Sequence, residues 1–225
     1  MMTASILFPI LLTVLFPGTV REPVPVCPPV DPDPAYTEVI QSRSKNIVDM
    51  LAIEDEAKAR LVQNLIADQY RTLGMLHDTC DAQIQAIQSE AGDTPDLAKS
   101  AIQALRDMTQ ALQGKLHTRY LLKLSALLTP AQVDQVKDGM TYGLVQVTYN
   151  SYLDLLPGLT EPQKAVIMAY LKEARELAMD ASSSSEKHKW FGKYKGRINN
   201  YLSAQGYDLK KASQERNARQ PKLSR

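Results

Sequence analysis

Apolar residues recur every three or four positions along most of this chain, which is the spacing of one face of an α-helix. The longest series runs from Val62 to Ile87, and a second runs from Leu97 to Tyr120. Between them, residues 92–95 contain a Gly and a Pro, which favour the end of one helix and the start of the next. Two long helices joined by so short a turn must pack antiparallel. The pattern therefore predicts a long helical hairpin.

Shorter helices are predicted on both sides of this hairpin. Strand signals are scarce, because Asn-Gly turns are absent and residues 145–149 form the one β-like run. The serines at 182–185 are predicted to form a flexible joint. The predicted helices cover about 35–51, 54–91, 95 to at least 120, 129–138, 142–155, 160–181, 186–205 and 208–219. The expected fold class is all-α, a helical bundle built on a long antiparallel helix hairpin with several shorter C-terminal helices.

Two helix starts share the pattern Leu-Thr-x-x-Gln, at Leu128–Gln132 and at Leu159–Gln163. In such a capping box the Thr hydroxyl accepts a hydrogen bond from a backbone N–H of the first turn, and the Gln side chain reaches back to the Thr N–H. Ile53–Lys58 is a degenerate third copy, Thr94 is predicted to cap the second hairpin helix, and Gly206 is predicted to end the last long helix in the left-handed conformation. Capping accounts for the repeat, so it carries no functional assignment.

The start of the chain has the features of an export signal. Ile6–Phe16 is an apolar run that is too short to span a bilayer and has the length of a signal-peptide hydrophobic region. We expect a signal peptide at 1–20, a Pro-rich connector at 21–34, a single helical domain at 35–219 and a disordered tail at 220–225. The expected location is periplasmic or extracellular, with no stable membrane span once the leader is removed.

The two cysteines leave one question open and argue against a lipid anchor. Cys27 lies in the Pro-rich connector, where residues 24–26 lack the small side chains that a lipoprotein site needs before its cysteine. A lipid anchor at Cys27 is therefore not predicted. A disulfide between Cys27 and Cys80 is compatible with an oxidising compartment, and the sequence leaves it undecided.

Charge is distributed unevenly along the chain. The net charge is +1, but residues 186–225 hold eleven Lys or Arg against three Asp or Glu. A basic tail can attract nucleic acid, anionic lipid or an acidic glycan. A solvated, frayed terminus at 214–225 accounts for the charge more simply. We therefore predict no nucleic-acid partner.

Motifs for metal binding or nucleophilic catalysis are absent. His77, His117 and His188 are isolated in the sequence, and neither Cys-x-x-Cys, His-Glu-x-x-His, Gly-x-Ser-x-Gly nor a Gly-rich phosphate loop occurs. His77 lies close to Cys80 on one predicted helix, and this neighbourhood is interpreted as a solvated rim beside a core cysteine. No metal, cofactor or catalytic residue is predicted.

Paired carboxylates deserve a separate test, because glycan hydrolysis uses two of them about 5 to 10 Å apart. Glu173 and Glu176 lie three residues apart on one predicted helix, but they alternate with Lys172 and Arg175, as in ordinary surface salt pairs. The acidic residues at 54–56 fit the start of a helix, where negative charge complements the helix dipole. These observations favour a protein that is not an enzyme, and a glycan-active enzyme stays open as an alternative.

The most distinctive stretch is a basic, aromatic block at 186–202, which holds the only Trp. Trp190, Tyr194 and Tyr201 share one helical face, and a polar row lies beside them. Such a face can stack on a sugar ring and donate to its hydroxyls. Alternatively, its aromatic residues pack the helix onto the bundle, and both interpretations can hold together. The predicted ligand-binding residues are Trp190, Tyr194, Lys193, Arg197, Asn200, His188 and Tyr142.

Four stretches of the last third, at 136–143, 155–160, 174–180 and 190–202, resemble an exported bacterial family. It is the domain-of-unknown-function family numbered three-eight-two-six, which is loosely labelled as sugar-binding, and the similarity covers about 36–216. This resemblance implies export, a helical fold and a glycan-related context, with no catalytic residues to transfer. The Leu-Thr-x-x-Gln pattern gives a weaker similarity to periplasmic stress chaperones, which are smaller helical hairpins.

Three functional hypotheses follow from these observations. The leading one is a non-enzymatic module that binds carbohydrate or is associated with glycan utilisation, so that the expected partner is an oligosaccharide. The second is an envelope chaperone or protein-interaction module of the Leu-Thr-x-x-Gln type, in which exposed apolar helix faces hold clients. The third is a glycan-active enzyme, which would need a carboxylate pair facing the aromatic block.

Overall fold

The computed structural model describes residues 34–92 and 94–219, and within these ranges it contains eight helices and no strand. The all-α prediction is confirmed. The predicted leader, the connector up to residue 33, Cys27 and the tail at 220–225 lie outside the described residues. The helices are α1 (Pro34–Asp49), α2 (Glu56–Glu90), α3 (Pro95–Leu127), α4 (Pro130–Met140), α5 (Leu144–Leu155), α6 (Glu161–Ala178), α7 (Ser184–Ala204) and α8 (Leu209–Arg219).

Both predicted capping boxes are present. Thr129 accepts from the N–H of Gln132 at 3.3 Å, and Gln132 accepts from the N–H of Thr129 at 3.1 Å. Thr160 and Gln163 repeat this exchange at the start of α6. The degenerate third copy works differently, because Asp55 alone caps α2 by accepting from two backbone N–H groups. Local chemistry thus fixes three helix starts.

Two of the smaller predictions need correction. Thr94 occupies the N-cap position of α3 but makes no cap bond, since its hydroxyl donates to the Ala91 carbonyl instead. The expected flexible joint at 182–185 is half helix, because Ser183 caps α7 by accepting from the N–H of Glu186. Gly206 has φ +88, as predicted, and ends α7 in a left-handed turn.

The helices bury two hydrophobic clusters. Each large apolar side chain buried in them stabilises the fold by about 1.5–3 kcal/mol. The N-terminal cluster is formed by α1–α4 and the residue after α6: Ile47, Val48, Leu51, Val62, Ile66, Tyr120, Leu124, Leu128, Val133, Val136, Met140 and Met179. The C-terminal cluster is formed by α5–α8: Val145, Tyr152, Leu156, Leu159, Ile167, Leu171, Ala174, Ala178, Phe191, Tyr194, Ile198, Leu202 and Ala212.

An ionic seam connects α4 to α6. Arg175 is only 3% exposed, and its guanidinium donates to Asp134 Oδ1 at 2.6 Å and to Asp138 Oδ1 at 2.8 Å. Beside it, Lys137 Nζ donates to Glu176 Oε2 at 2.8 Å. These five residues are called the ionic seam below. A buried guanidinium is costly unless it is paired, and here both terminal nitrogens are paired while the buried Nε has no hydrogen-bond partner among the described residues. These contacts join α6 to α4.

Among the described helices, none combines the length and apolar character needed to cross a membrane. The longest, α2 and α3, form the predicted hairpin, and residues 77–84 of α2 lie opposite residues 106–117 of α3. Residues 72–79 of α2 share a second groove with residues 112–119 of α3, so lower numbers on α2 go with higher numbers on α3 and the two helices are antiparallel. The hairpin supplies two walls of the cleft described next.

Candidate functional site

A cleft of about 690 Å³ lies between the hairpin and the junction of α6 with α7. It is called the hairpin cleft below. From α2 it receives His77, Cys80, Asp81 and Ile84, which share one helical face because they are spaced by three or four residues. The predicted solvated rim beside a core cysteine is therefore part of a concave site.

The wall from α3 is a row of polar side chains. Arg106, Gln110, Gln113 and His117 follow one another at intervals of three or four residues and line the cleft. Amide and guanidinium groups on one helix face offer several hydrogen-bond donors and acceptors at fixed spacing. Thr109 also lines the cleft. Its hydroxyl donates a hydrogen bond to the Leu105 carbonyl within α3, so that proton is already used inside the helix.

Asp180, just after α6, joins the two walls of the hairpin. His117 Nδ1 lies 2.6 Å from Asp180 Oδ2, and His77 Nε2 lies 2.9 Å from the Asp180 carbonyl oxygen. Both acceptors can only receive a proton, so each ring nitrogen donates. The hydrogen bond to Asp180 raises the pKa of His117 against the opposing effect of burial, and the nearby charges of Asp180 and Glu176 raise it further.

Lys187 is buried beside Asp180 and joins the ends of α4 and α6. It is 4% exposed, and its ammonium donates to the Met140 carbonyl at 3.0 Å and the Met179 carbonyl at 3.1 Å, at the C-terminal ends of α4 and α6. Helix C-termini carry partial negative charge and favour a cation there. Burial lowers the pKa of Lys187 to about 8, although the charge of Asp180 opposes this shift.

The last wall comes from α7. Glu186 and Trp190, one helical turn apart, both line the hairpin cleft. Trp190 is half-buried, since it packs partly against the C-terminal cluster, and Lys193 Nζ lies 5.0 Å from the centre of its ring system. Glu186 forms an ion pair with Lys189. An aromatic side chain thus borders a cleft that is lined by both polar and apolar groups.

The seven ligand residues predicted from the sequence lie in three places: the hairpin cleft, the C-terminal cluster and the exposed surface around α7. Trp190 alone lines the hairpin cleft, with Lys193 over its ring. Tyr194 is 4% exposed in the C-terminal cluster, and the Arg197 guanidinium lies 4.5 Å from the centre of its ring. Since its ring is packed in the core, the predicted stacking role of Tyr194 would require it to move.

The remaining predicted residues lie outside the hairpin cleft. Tyr142 and His188 stack on each other with ring centroids 6.2 Å apart, and Tyr142 adopts the left-handed conformation with φ +58. Asn200 is exposed farther along α7. The structure therefore brings the seven residues together as neighbours on one helix and its surroundings rather than as one concave site. Their ligand-binding role stays a prediction.

The carboxylate pair considered from the sequence separates in the structure. Glu176 belongs to the ionic seam and reaches the hairpin cleft, whereas Glu173 lies 3.6 Å from Arg197 on the exposed side of α7. Within residues 34–92 and 94–219, no group of three or more His, Cys, Asp or Glu side chains is arranged to hold a metal ion. Cys80 is buried at the cleft with a free thiol.

Sequence reasoning missed His77, Gln113, His117 and Asp180. The polar row at 106, 110, 113 and 117 gave no local signal, because a polar face beside an apolar stripe is usual for a surface helix. The contacts themselves had no local signal, because 63 residues separate His117 from Asp180 and 103 separate His77 from it.

Comparison with known proteins gives one family. The family model described as "Protein of unknown function (DUF3826)" matches residues 37–221. No curated protein matches the chain at a significant level. The matched region includes every residue that lines the hairpin cleft. Because the match covers most of its length, the chain belongs to the DUF3826 family of proteins of unknown function.

Proposed function

We propose that the hairpin cleft binds a carbohydrate. The observation that carries this proposal is the placement of Trp190 at the edge of a cleft whose other walls hold amide, imidazole and carboxylate groups. A sugar ring has apolar C–H faces that stack on an aromatic side chain and a rim of hydroxyls that need donors and acceptors. Gln110 and Gln113 supply both kinds of group through their amides.

The charge of the cleft favours a neutral sugar. Four carboxylates line it, whereas Arg106 is the one Lys or Arg among its lining residues in the described chain. Like charge opposes the approach of an acidic ligand. We therefore expect neutral oligosaccharides to bind better than those that contain uronic acids. The four carboxylates are those of Asp81, Glu176, Asp180 and Glu186.

Isothermal titration calorimetry tests this proposal with cello-, xylo- and manno-oligosaccharides and with a uronic-acid oligosaccharide. We expect binding of at least one neutral ligand, and a loss of about 1–3 kcal/mol of affinity when Gln113→Ala removes its hydrogen bonds. Trp190→Ala should also weaken binding. Circular dichroism of each variant checks that it is folded.

A second pair of variants separates the cleft from the outer face of α7. Arg197→Ala and Asn200→Ala change sequence-predicted ligand residues that do not line the hairpin cleft. If the ligand sits in the cleft, both variants keep wild-type affinity. If they lose affinity while Gln113→Ala does not, the ligand binds the exposed face of α7. No heat with any ligand contradicts both sites.

We also propose that the protein is exported, which is the setting in which a glycan-binding module meets its ligand. The apolar run at 6–16 supports this proposal. Fusion of residues 1–34 to alkaline phosphatase, which is active only in an oxidising compartment, provides the measurement. Phosphatase activity is expected in a bacterial host, and inactivity of a fusion that is nevertheless produced counts against export.

One observation favours the chaperone hypothesis as a second candidate. A shallow groove of about 570 Å³ runs between α2 and α3, and its lining includes Met75 and Leu112, which are 59% and 42% exposed. Exposed apolar grooves can hold unfolded segments. Suppression of citrate synthase aggregation by the wild type, and its loss in Met75→Ser/Leu112→Ser, would support this candidate. Equal aggregation with and without the protein would remove it.

A further inference from the structure

We propose that the hairpin cleft is the active site of an esterase that removes acyl groups from its carbohydrate ligand, with His117 as the general base. This inference rests on the proposed function, because the carbohydrate must first bind in the cleft. It adds an activity that a binding module lacks.

Asp180 holds His117 in the orientation that a general base needs. Its Oδ2 receives the Nδ1 proton at 2.6 Å, so a neutral ring carries its lone pair on Nε2. The Asp180 side chain is 5% exposed, whereas the His117 side chain is 22% exposed and lines the cleft. The carboxylate is thus the positioning group, and the imidazole is the group that reaches the ligand. His77 fixes the Asp180 backbone from the other side.

The position of Glu176 Oε2 near His117 Nε2 indicates where a reacting water can lie. Glu176 Oε2 lies 3.7 Å from His117 Nε2, which is too far for a direct hydrogen bond. Two acceptors at this separation can share one water that lies about 2.8 Å from each and donates one proton to each. Such a water is oriented with its oxygen lone pairs directed away from both groups. His117 and Glu176 therefore form a site that positions a nucleophilic water.

Glu176 and Glu186 of the cleft fit an esterase better than a glycosidase. A glycosidase needs a protonated carboxyl group to donate to the leaving oxygen. Glu176 is held by Lys137 at 2.8 Å and by Arg175 at 3.2 Å, and Glu186 is paired with Lys189. Both carboxylates already accept hydrogen bonds from these cations. An imidazole can instead take a proton from water and later return it to a sugar alkoxide.

The proposed step uses water as its only co-reactant. His117 Nε2 accepts a proton from water as the water oxygen bonds to the acyl carbon and the carbonyl electron pair moves to oxygen. Gln113, one turn before His117 on the same face, can donate its amide N–H to that oxyanion. As this tetrahedral intermediate collapses, the bond between the acyl carbon and the sugar oxygen breaks. The sugar oxygen takes the proton from the His117 imidazolium. The products are a carboxylic acid and a free sugar hydroxyl.

Charged groups from each neighbouring element set the pH range of this step. The hydrogen bond and charge of Asp180 raise the pKa of His117, and Glu176 adds to the rise, while burial and Lys137 lower it. Hydrolysis should increase as pH rises through the pKa of His117, because only the neutral ring accepts a proton. The titratable or charged groups that face His117 from its neighbours are His77 on α2, Lys137 on α4, Glu176 on α6, Asp180 after α6 and Glu186 on α7.

Acetate release from acetylated xylo-oligosaccharides, measured between pH 5 and 9 alongside hydrolysis of 4-nitrophenyl acetate, tests the proposal. His117→Gln should lower kcat by about 100-fold or more, the usual contribution of a general base. Asp180→Asn should lower kcat and move the pH profile to lower pH, because the charge that raises the pKa of His117 is gone. Glu176→Gln should lower kcat by about tenfold while KM stays close to wild type.

Asp49→Asn, at an exposed carboxylate on α1, is the matched control and should behave as the wild type. Circular dichroism and thermal melts identify any variant that fails to fold. If His117→Gln fails to fold, the shift of the pH profile in Asp180→Asn still tests the role of His117. Binding of the acetylated ligand without acetate release overturns the esterase and leaves the carbohydrate proposal intact. Absence of both binding and release overturns both. Full activity in a folded His117→Gln overturns the role of His117.

Discussion

His117 is the residue at which the hairpin cleft meets the ionic seam. It contacts Asp180 at 2.6 Å and lies 3.7 Å from Glu176, which is itself held by Lys137. A protonated ring is stabilised by both carboxylates, whereas a neutral ring keeps only the hydrogen bond to Asp180. The single side chain therefore ties α3 to α6 with a strength that depends on pH.

This dependence gives the first prediction, on the unfolding free energy of the wild type relative to His117→Gln. The pKa of His117 is higher in the folded protein than the ordinary value of 6.5. Its stabilising contribution is therefore complete below about pH 6.5 and is lost as pH rises through the folded pKa. Urea titrations at pH 5.5 and 8.5 should show a larger wild-type advantage at pH 5.5. An advantage that is equal at both pH values would contradict this assignment.

Lys187 behaves in the opposite sense, which gives the second prediction. Burial lowers its pKa from 10.5 to about 8, so between these values the unfolded chain binds more protons than the folded one. Stability contributed by this group therefore rises with pH from about 8 to 10.5. The unfolding free energy of the wild type relative to Lys187→Met should increase between pH 7.5 and 10. A decrease over that range would show that the ammonium is not buried as described.

At the scale of the helix, capping separates residues that look alike in the sequence. Thr129 and Thr160 accept backbone hydrogen bonds within complete capping boxes, while Thr94 does not. Substitution of an N-cap Thr by Ala costs about 1 kcal/mol. Thr160→Ala should lower the free energy of unfolding by about that amount, and Thr94→Ala should leave it nearly unchanged. Equal losses in the two urea titrations would show that the boxes are not the cause.

Two glycines within helices give a prediction with opposite signs. A Cβ at Gly139 would lie 2.7 Å from Ile47 Cγ1, where α4 packs on α1, whereas a Cβ at Gly196 on α7 meets no atom within 4 Å. Gly139→Ala should destabilise the protein by about 1–3 kcal/mol through overpacking. Gly196→Ala should stabilise it by up to about 1 kcal/mol through helix propensity. Thermal melts of both variants provide the comparison.

The difference between local signals and tertiary contacts explains how much of the fold could be predicted from the sequence. Apolar spacing and capping residues act within a few positions, so both capping boxes and all eight helices are predictable from the sequence, although the predicted end of α6 lies three residues too late and the end of α3 is not placed. Thr94 was misread because its hydroxyl has a second acceptor, the Ala91 carbonyl, which the pattern does not reveal. The aromatic block predicted a helix correctly, but whether Tyr194 faces solvent or core depends on α5 and α6.

For the whole molecule, the site was the least predictable part. The hairpin cleft needs side chains from α2, α3, α6 and α7 and from the turn after α6, which only the packing of the whole bundle brings together. His77, His117 and Asp180 are each ordinary in their local sequence. What makes them a candidate site is a set of contacts between residues 63 or more positions apart. Trp190 was found because a single Trp in a polar, aromatic stretch is itself unusual.

The two hydrophobic clusters meet at polar contacts as well as apolar ones, so the ionic seam should control how cooperatively they unfold. Arg175 is the centre of that seam and pairs with two half-exposed carboxylates, Asp134 and Asp138. Arg175→Leu keeps the apolar stem but leaves Asp134 and Asp138 without their cation. Because water reaches both half-exposed carboxylates, the direct cost of losing their cation is about 1 kcal/mol. The loss should weaken the link between α4 and α6 more than it weakens either cluster.

The single Trp makes this final prediction measurable. Trp190 packs against the C-terminal cluster, so its fluorescence follows that cluster, while far-ultraviolet circular dichroism follows all the helices. Coincident urea transitions are expected for the wild type, because two-state unfolding gives the same midpoint with every probe. In Arg175→Leu the two midpoints should separate as well as fall. Arg60→Leu, which breaks an exposed pair with Glu56, is the control that should leave both midpoints in place. Midpoints that fall together in Arg175→Leu would mean that the apolar contacts alone couple the clusters.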